Sequence, residues 1–209
     1  MRNAKESTRP PGALARLRTA TAPAHQRLDE GLDVFSRPWS LDVHRRWLSL
    51  TWGLLAPLER DLAVWAEEDP DALDVVTRAR ADLALADLRV LGVEDVDLED
   101  LQECPDVPPA TTRSAALGVC YVLDGSTLGG QLVARAAVAA GVPVQACTSL
   151  TGREGVGRRW RETIAALDAL REDDVAAAVR SAIATFTAYE RWLSSLSRPG
   201  HHDGLDSTS

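Results

Sequence analysis

An all-α, single-domain helical bundle is what this sequence predicts, on three observations. Apolar residues recur in steps of three and four along most of the chain. No stretch alternates with period two for long enough to make a convincing strand. The breaks between helical stretches carry Ser, Pro and Gly where caps and stops are expected. The 209 residues are 45% hydrophobic and 26% charged, ordinary values for one globular domain with a proper core, and no internal repeat divides them.

Residues 1–12 are polar and end in Pro10-Pro11-Gly12, which reads as a disordered arm. From Ala13 a helical face follows through Leu14, Leu17, Thr21, His25, Leu28 and Leu32. Pro23 interrupts it, since an interior proline removes a hydrogen bond and clashes with the preceding turn; a restart near Thr21 as N-cap is expected. Either way His25 points toward the core. Arg37-Pro38-Trp39 reads as a break, and Ser40 as N-cap of a helix over residues 41–66. Its inward stripe is Trp47, Leu48, Thr51, Leu54, Leu55, Leu58, Leu62 and Trp65, with Pro57 as a kink. A third helix is expected over residues 71–91, with Leu73, Val76, Ala79, Leu83 and Ala86 inward. Residues 92–109 are acidic and proline-bearing, an exposed connection with one short helical turn. A long buried helix over residues 111–140 ends at Gly141-Val-Pro143. A loop through Thr151-Gly152 and residues 155–157 leads to a helix over 158–170. The last helix, over 173–196, turns Val175, Val179, Ala182, Ile183, Phe186, Tyr189 and Leu193 inward. The domain therefore spans 13–196, and 197–209 read as a disordered polar tail.

The net charge of −8 argues against a general nucleic-acid surface, while leaving room for a local basic patch facing a small anion. Cys104, Cys120 and Cys147 form an odd set without paired spacing, which favours free thiols over a disulfide framework. The first residues lack an apolar run of signal-peptide length and no later segment suits a bilayer, so a cytoplasmic, membrane-free protein is expected. Gly-x-Ser-x-Gly, P-loop and Cys-x-x-Cys motifs are missing. Of the four histidines, His201 and His202 belong to the tail, and His44, beside Arg45 and Arg46, reads as surface. Ala22 and Leu41 stand three residues before His25 and His44, where a di-iron bundle would need glutamate. His25 sits in a leucine stripe. Two readings fit it: a satisfied core histidine, or an imidazole with one ring nitrogen free, which is what a heme iron needs.

The oddest stretch is Tyr121-Val-Leu-Asp-Gly-Ser-Thr-Leu-Gly-Gly-Gln131, inside the long buried helix. Each interior glycine opposes helix formation by roughly 0.5–1 kcal/mol, so Gly125, Gly129 and Gly130 together weigh about 2–3 kcal/mol against it. Gly125 and Gly129 are four apart and share a face. Such a bare face serves close helix–helix packing, a loop between two helices, or the close approach of a flat or bulky ligand to the backbone.

Together the two odd features carry a resemblance. Leu17-Arg-Thr-Ala-Thr21-Ala-Pro-Ala-His25-Gln-Arg-Leu28-Asp29 resembles the proximal-helix signature of heme oxygenases, and the glycine stretch is similar to their distal helix. About 100 residues separate His25 from the glycines, in the order and spacing of that family. Gly155-x-Gly157-x-x-Trp160-x-x-x-Ile164-x-x-Leu167 also resembles the bacterial subgroup found alongside bacteriophytochromes. Pro23 is a departure from the proximal pattern.

The resemblance implies a heme-oxygenase-like bundle with heme, both cofactor and substrate, between a proximal and a glycine-kinked distal helix. His25 would be the axial ligand of the iron. Gly125, Ser126, Gly129 and Gly130 would form the catalytic distal wall. Many animal relatives have an aspartate where Ser126 stands, one turn before the paired glycines, while Asp124 stands where bacterial relatives often have glutamate. Arg18, seven residues before His25, and Arg161 match basic residues that meet the heme propionates, and Tyr121 would supply a hydroxyl or fill the core. The implied activity is cleavage of heme by O2 to biliverdin, carbon monoxide and ferrous iron. Electrons would come from an external ferredoxin or reductase, and a bacteriophytochrome is an implied recipient of biliverdin. A non-catalytic heme carrier on the same scaffold is the alternative.

Overall fold

The chain folds as a bundle of α-helices in a computed structural model that describes residues 12–32 and 38–197. The expected arm (apart from Gly12), Arg37 of the first break, the histidines of the tail and residues 198–209 lie outside the described residues, as does the side chain of Leu32. Among the described residues there is no strand, and no helix is long and apolar enough to cross a membrane.

The first helix, α1 (Ala13–Leu32), is continuous through Pro23, so the expected restart at Thr21 is corrected. Thr21 is buried inside the helix, and its hydroxyl donates to the Leu17 carbonyl at 2.8 Å rather than capping a new start. Pro23 leaves the Thr19 carbonyl without its helical donor. Thr19 faces solvent, where water takes that role at little cost. In α2 (Leu41–Glu68) the same problem arises in the core: Pro57 cannot donate to the carbonyl of buried Gly53. The amide of Cys104 donates to it instead, at 2.8 Å, fastening the long connection to the helix. Ser40 caps α2 as expected, accepting from the Val43 amide at 3.2 Å, and all eight residues of the expected stripe are buried.

The third helix is the main correction. Only α3 (Ala81–Val90) forms, and residues 71–80 are turns and irregular chain. Asp69 accepts from the Asp71 amide and Asp74 from the Thr77 amide, local bonds that compete with helix formation. Val76 and Ala86, expected inward, are exposed, while Arg78 and Arg80 are buried. A single helical turn, α4 (Asp95–Glu99), interrupts the acidic connection.

The bundle is built around α5 (Arg113–Ala139), capped by Thr112 and continuous through all its glycines. It packs on α8 (Glu172–Leu193), on α7 (Val156–Asp168) and on the short α6 (Thr148–Thr151), which follows a 3-10 turn, Val144–Ala146. A second 3-10 turn, Ser194–Ser197, closes the described chain and takes in Ser197, expected in the tail. The α1 helix lies on α8 and α7 and makes at most marginal contact with α5. That separation leaves room between α1 and α5.

Candidate functional site

A cavity of about 580 Å³ fills that room. Its walls are mostly apolar, from Leu28 on α1, Val122 and Val133 on α5, and Phe186, Tyr189 and Leu193 on α8. Such a volume with a few polar groups is the usual form of a small-molecule site.

His25 lines this cavity, and here the expectation of a core-facing ring is corrected: its side chain is 59% exposed. Its Nδ1 lies 2.9 Å from Asp29 Oδ2, one helical turn on, and the ring meets Phe186 edge-on, centroids 5.5 Å apart. A carboxylate beside Nδ1 favours the proton on that nitrogen and the lone pair on Nε2, the arrangement of a metal-ligating histidine. Among the described residues no three His, Cys, Asp or Glu side chains gather as a metal cluster, so His25 would be a lone protein ligand.

The glycine helix forms the other side, and its three glycines separate into two kinds. A Cβ on Gly130 would lie 2.3 Å from the Leu150 carbonyl oxygen, so this residue is bare because α6 seats against it. A Cβ on Gly129 would meet nothing within 4 Å, and one on Gly125 only the Trp160 ring at 3.6 Å. Protein packing does not require those two; both face the cavity. Tyr121 lines the same wall, its ring 5.5 Å from that of Trp160. Ser126 lines it too, with its hydroxyl donating to the Leu123 carbonyl at 2.8 Å.

Asp124 is not part of the cavity wall. It is buried, accepting from Thr163 Oγ1 at 2.6 Å and from Arg78 Nε at 3.3 Å, and so ties α5 to α7 and to the 71–80 segment. Arg18 and Arg161 are exposed and lie outside the cavity wall. Three residues that line the site, Asp29, Trp47 and Arg80, were missed from sequence. Asp29 carried a signal, the i,i+4 spacing from His25.

His44 is a second correction: it is fully buried, not surface. Trp39 Nε1–H donates to its Nδ1 at 3.2 Å, so Nε2 carries the proton and donates to the Ala146 carbonyl at 2.8 Å. With both nitrogens taken it is a structural residue. Burial holds its pKa below the ordinary 6.5, against the Ala146 bond and nearby Asp87. The three thiols are free and buried; burial pushes Cys120 up to about 12 and Cys147 up to about 11, so neither is a nucleophile at neutral pH.

No protein-family model matches the chain, and no curated protein sequence matches it. The functional reading therefore rests on the cavity and its residues.

Proposed function

We propose that the protein is a heme oxygenase, with a heme-oxygenase-like fold, that cleaves heme to biliverdin, carbon monoxide and ferrous iron. One observation carries the reading. A histidine with a carboxylate 2.9 Å from its Nδ1 lines the same cavity as two helical glycines that no protein neighbour requires. The chain's residues fit heme as substrate: an apolar slot, a lone imidazole ligand on α1, and backbone without side chains on α5.

In this reading His25 binds the iron and Asp29 holds the ring in register. Gly125 and Gly129 let the α5 backbone lie close over the macrocycle, excluding bulk water. Heme supplies the oxygen-activating iron, O2 is the oxidant, and an external one-electron donor of the ferredoxin or reductase class supplies the electrons. One meso carbon leaves as carbon monoxide as the ring opens. Arg18 and Arg161 lie outside the cavity wall, so their proposed role toward the propionates rests on the sequence resemblance alone.

The test is a spectrum. Purified protein with hemin should give a Soret band, and reductant with O2 should convert it to biliverdin, identified by its absorbance and mass. A Soret band that persists under turnover conditions would assign the protein as a heme carrier instead.

A further inference from the structure

The glycine wall has little of its own to hold it in place, and one buried cation grips it from outside the helix. A Cβ on Gly129 would meet nothing within 4 Å, and one on Gly125 only the Trp160 ring. In the same turn the Leu123 carbonyl accepts from two helical hydroxyls, Ser126 Oγ at 2.8 Å and Thr127 Oγ1 at 3.2 Å. Hydroxyls that bond back to a carbonyl three or four residues earlier compete with the helical amide and weaken the turn. Arg80, buried at the head of α3, reaches this turn with its Nη2, which donates to the Leu123 carbonyl at 3.2 Å and to Ser126 Oγ at 2.9 Å.

The other arm of the guanidinium holds α6: Nη1 donates to the Ser149 carbonyl at 3.1 Å. Arg78, two residues earlier, pairs with carboxylates, those of Asp124 and Glu162. Arg80 instead directs its fork to two carbonyls and a hydroxyl from two different helices. A planar guanidinium presents its N–H groups in fixed directions, so bonds to three acceptors fix the positions of those acceptors relative to one another. The cation is itself anchored. Its backbone N–H donates to Glu59 Oε1 at 2.8 Å and that of Ala81 to Oε2 at 3.0 Å, which ties the start of α3 to α2. Gly152, at the end of α6, lets these parts close up. Its φ is +70°, and a Cβ there would lie 2.9 Å from Thr127 Cγ2 and 3.6 Å from Arg80 Cδ.

We propose that Arg80 is a positioning residue: it fixes the Leu123–Ser126 turn of α5 against α6 and so sets how far Gly125 and Gly129 stand from the occupant of the cavity. Ser126 is then a link in this clamp, its proton given to the Leu123 carbonyl and its oxygen accepting from Arg80. The proposal rests on the heme reading only for the identity of the occupant; the clamp is present without it.

Two measurements on Arg80→Met test it. In the heme-free protein, amides of residues 123–131 should exchange with deuterium about 10- to 100-fold faster, the size of lost hydrogen bonds to a charged group, while those of α8 change by less than about threefold. In ferric heme-loaded protein, binding of imidazole and of 4-phenylimidazole is followed by the Soret band. Both ligands are neutral and they differ in size, so the ratio of their affinities reads the room beneath the wall. Arg80→Met should narrow that ratio by about tenfold. Arg80→Lys, a point charge that cannot span the fork, should fall between it and the wild type. Leu167→Ala, a core truncation on α7 outside the cavity wall, should destabilise the fold yet leave the ratio unchanged. Exchange in α5 that rises no more than in α8, a ratio that stays at the wild-type value in Arg80→Met, or equal narrowing in Leu167→Ala would overturn the proposal. Should Arg80→Met fail to fold by circular dichroism, Arg80→Lys decides on the same two readouts. A wild-type protein that gives no Soret band with hemin ends the heme reading instead, and exchange alone then judges the clamp.

Discussion

His25 and His44 sit in similar sequence surroundings, each with apolar residues three or four positions away on a helix, yet they end in opposite regions. Around His44, α2, the turn at Val144–Ala146 and α6 meet in a hub where both ring nitrogens and the nearby buried carboxylate are bonded, with Trp47 Nε1 the one buried side-chain donor left over among the described residues. The ring donates once and accepts once, and buried Asp87 accepts from the amides and hydroxyls of Thr148 and Ser149. Around His25 one ring nitrogen lies 2.9 Å from a carboxylate, on a wall that opens to a cavity. Depth of burial is therefore a poor guide to function here. Bonding capacity is the better one: both nitrogens of His44 are used inside the protein, while His25 lines the cavity with only one nitrogen beside a partner.

The largest effects should come from exchanging these two regions' histidines for alanine. His25→Ala removes an exposed side chain, so the melting temperature of the heme-free protein should hardly move. The Soret spectrum should change, biliverdin formation should fall to background, and added imidazole should partly restore both. His44→Ala should do the reverse. It leaves the Ala146 carbonyl and the Trp39 N–H without partners and opens a void, a loss of about 2–5 kcal/mol in denaturant unfolding. Its turnover per bound heme should survive at temperatures where it stays folded. Normal heme spectra and turnover in His25→Ala would break the contrast at its centre.

A smaller effect follows from protons. The folded pKa of His44 is lowered, so below the ordinary value of 6.5 the unfolded chain binds the proton first. Stability contributed by neutral His44 is present at higher pH and is lost as pH falls from 6.5 through the folded value. Protonation would also set an Nδ1–H against the Trp39 N–H, removing the bond between them. Melting temperatures of the heme-free protein should fall between about pH 7 and about pH 5, with a shallower slope in His44→Gln. Equal slopes in the two proteins would show that His44 does not set the acid limb.

What the sequence made legible divides along the same line. The helices α2, α5 and α8 were readable because their apolar spacing is long and regular, and the residues expected inward in α2 are buried. The N-terminal half of the third helix was not, because Asp69 and Asp74 spend their carboxylates on local amides, and periodicity does not register that competition. Two charged neighbours hid His44, although its spacing to Trp47, Leu48 and Thr51 places it on the buried stripe. The residues brought to the cavity, His25, Tyr121, Gly125, Ser126, Gly129 and Gly130, were all marked in the sequence. Arg80 was not, since its burial depends on the chain turning at residues 71–80 rather than continuing as helix.

The smallest effect is the most discriminating, because it sets two adjacent glycines against each other. Gly129 is helical, and a methyl group there meets nothing within 4 Å, so Gly129→Ala should stabilise the heme-free protein by roughly 0.5–1 kcal/mol through propensity alone. Gly130→Ala places its methyl 2.3 Å from a backbone oxygen of α6 and should destabilise the heme-free protein by about 1–3 kcal/mol. In the presence of heme the order should invert. The Gly129 methyl projects into the volume assigned to the substrate, so biliverdin yield per bound heme should fall. Gly130→Ala, which disturbs α6 from the far side, should lose more stability than turnover. Thermal melting without heme and biliverdin yield with it, measured on both variants, separate a bare face kept for a ligand from one kept for packing. If Gly129→Ala melts higher and turns over normally, the glycine is not there for the substrate, and the distal wall of the proposed site is wrongly placed.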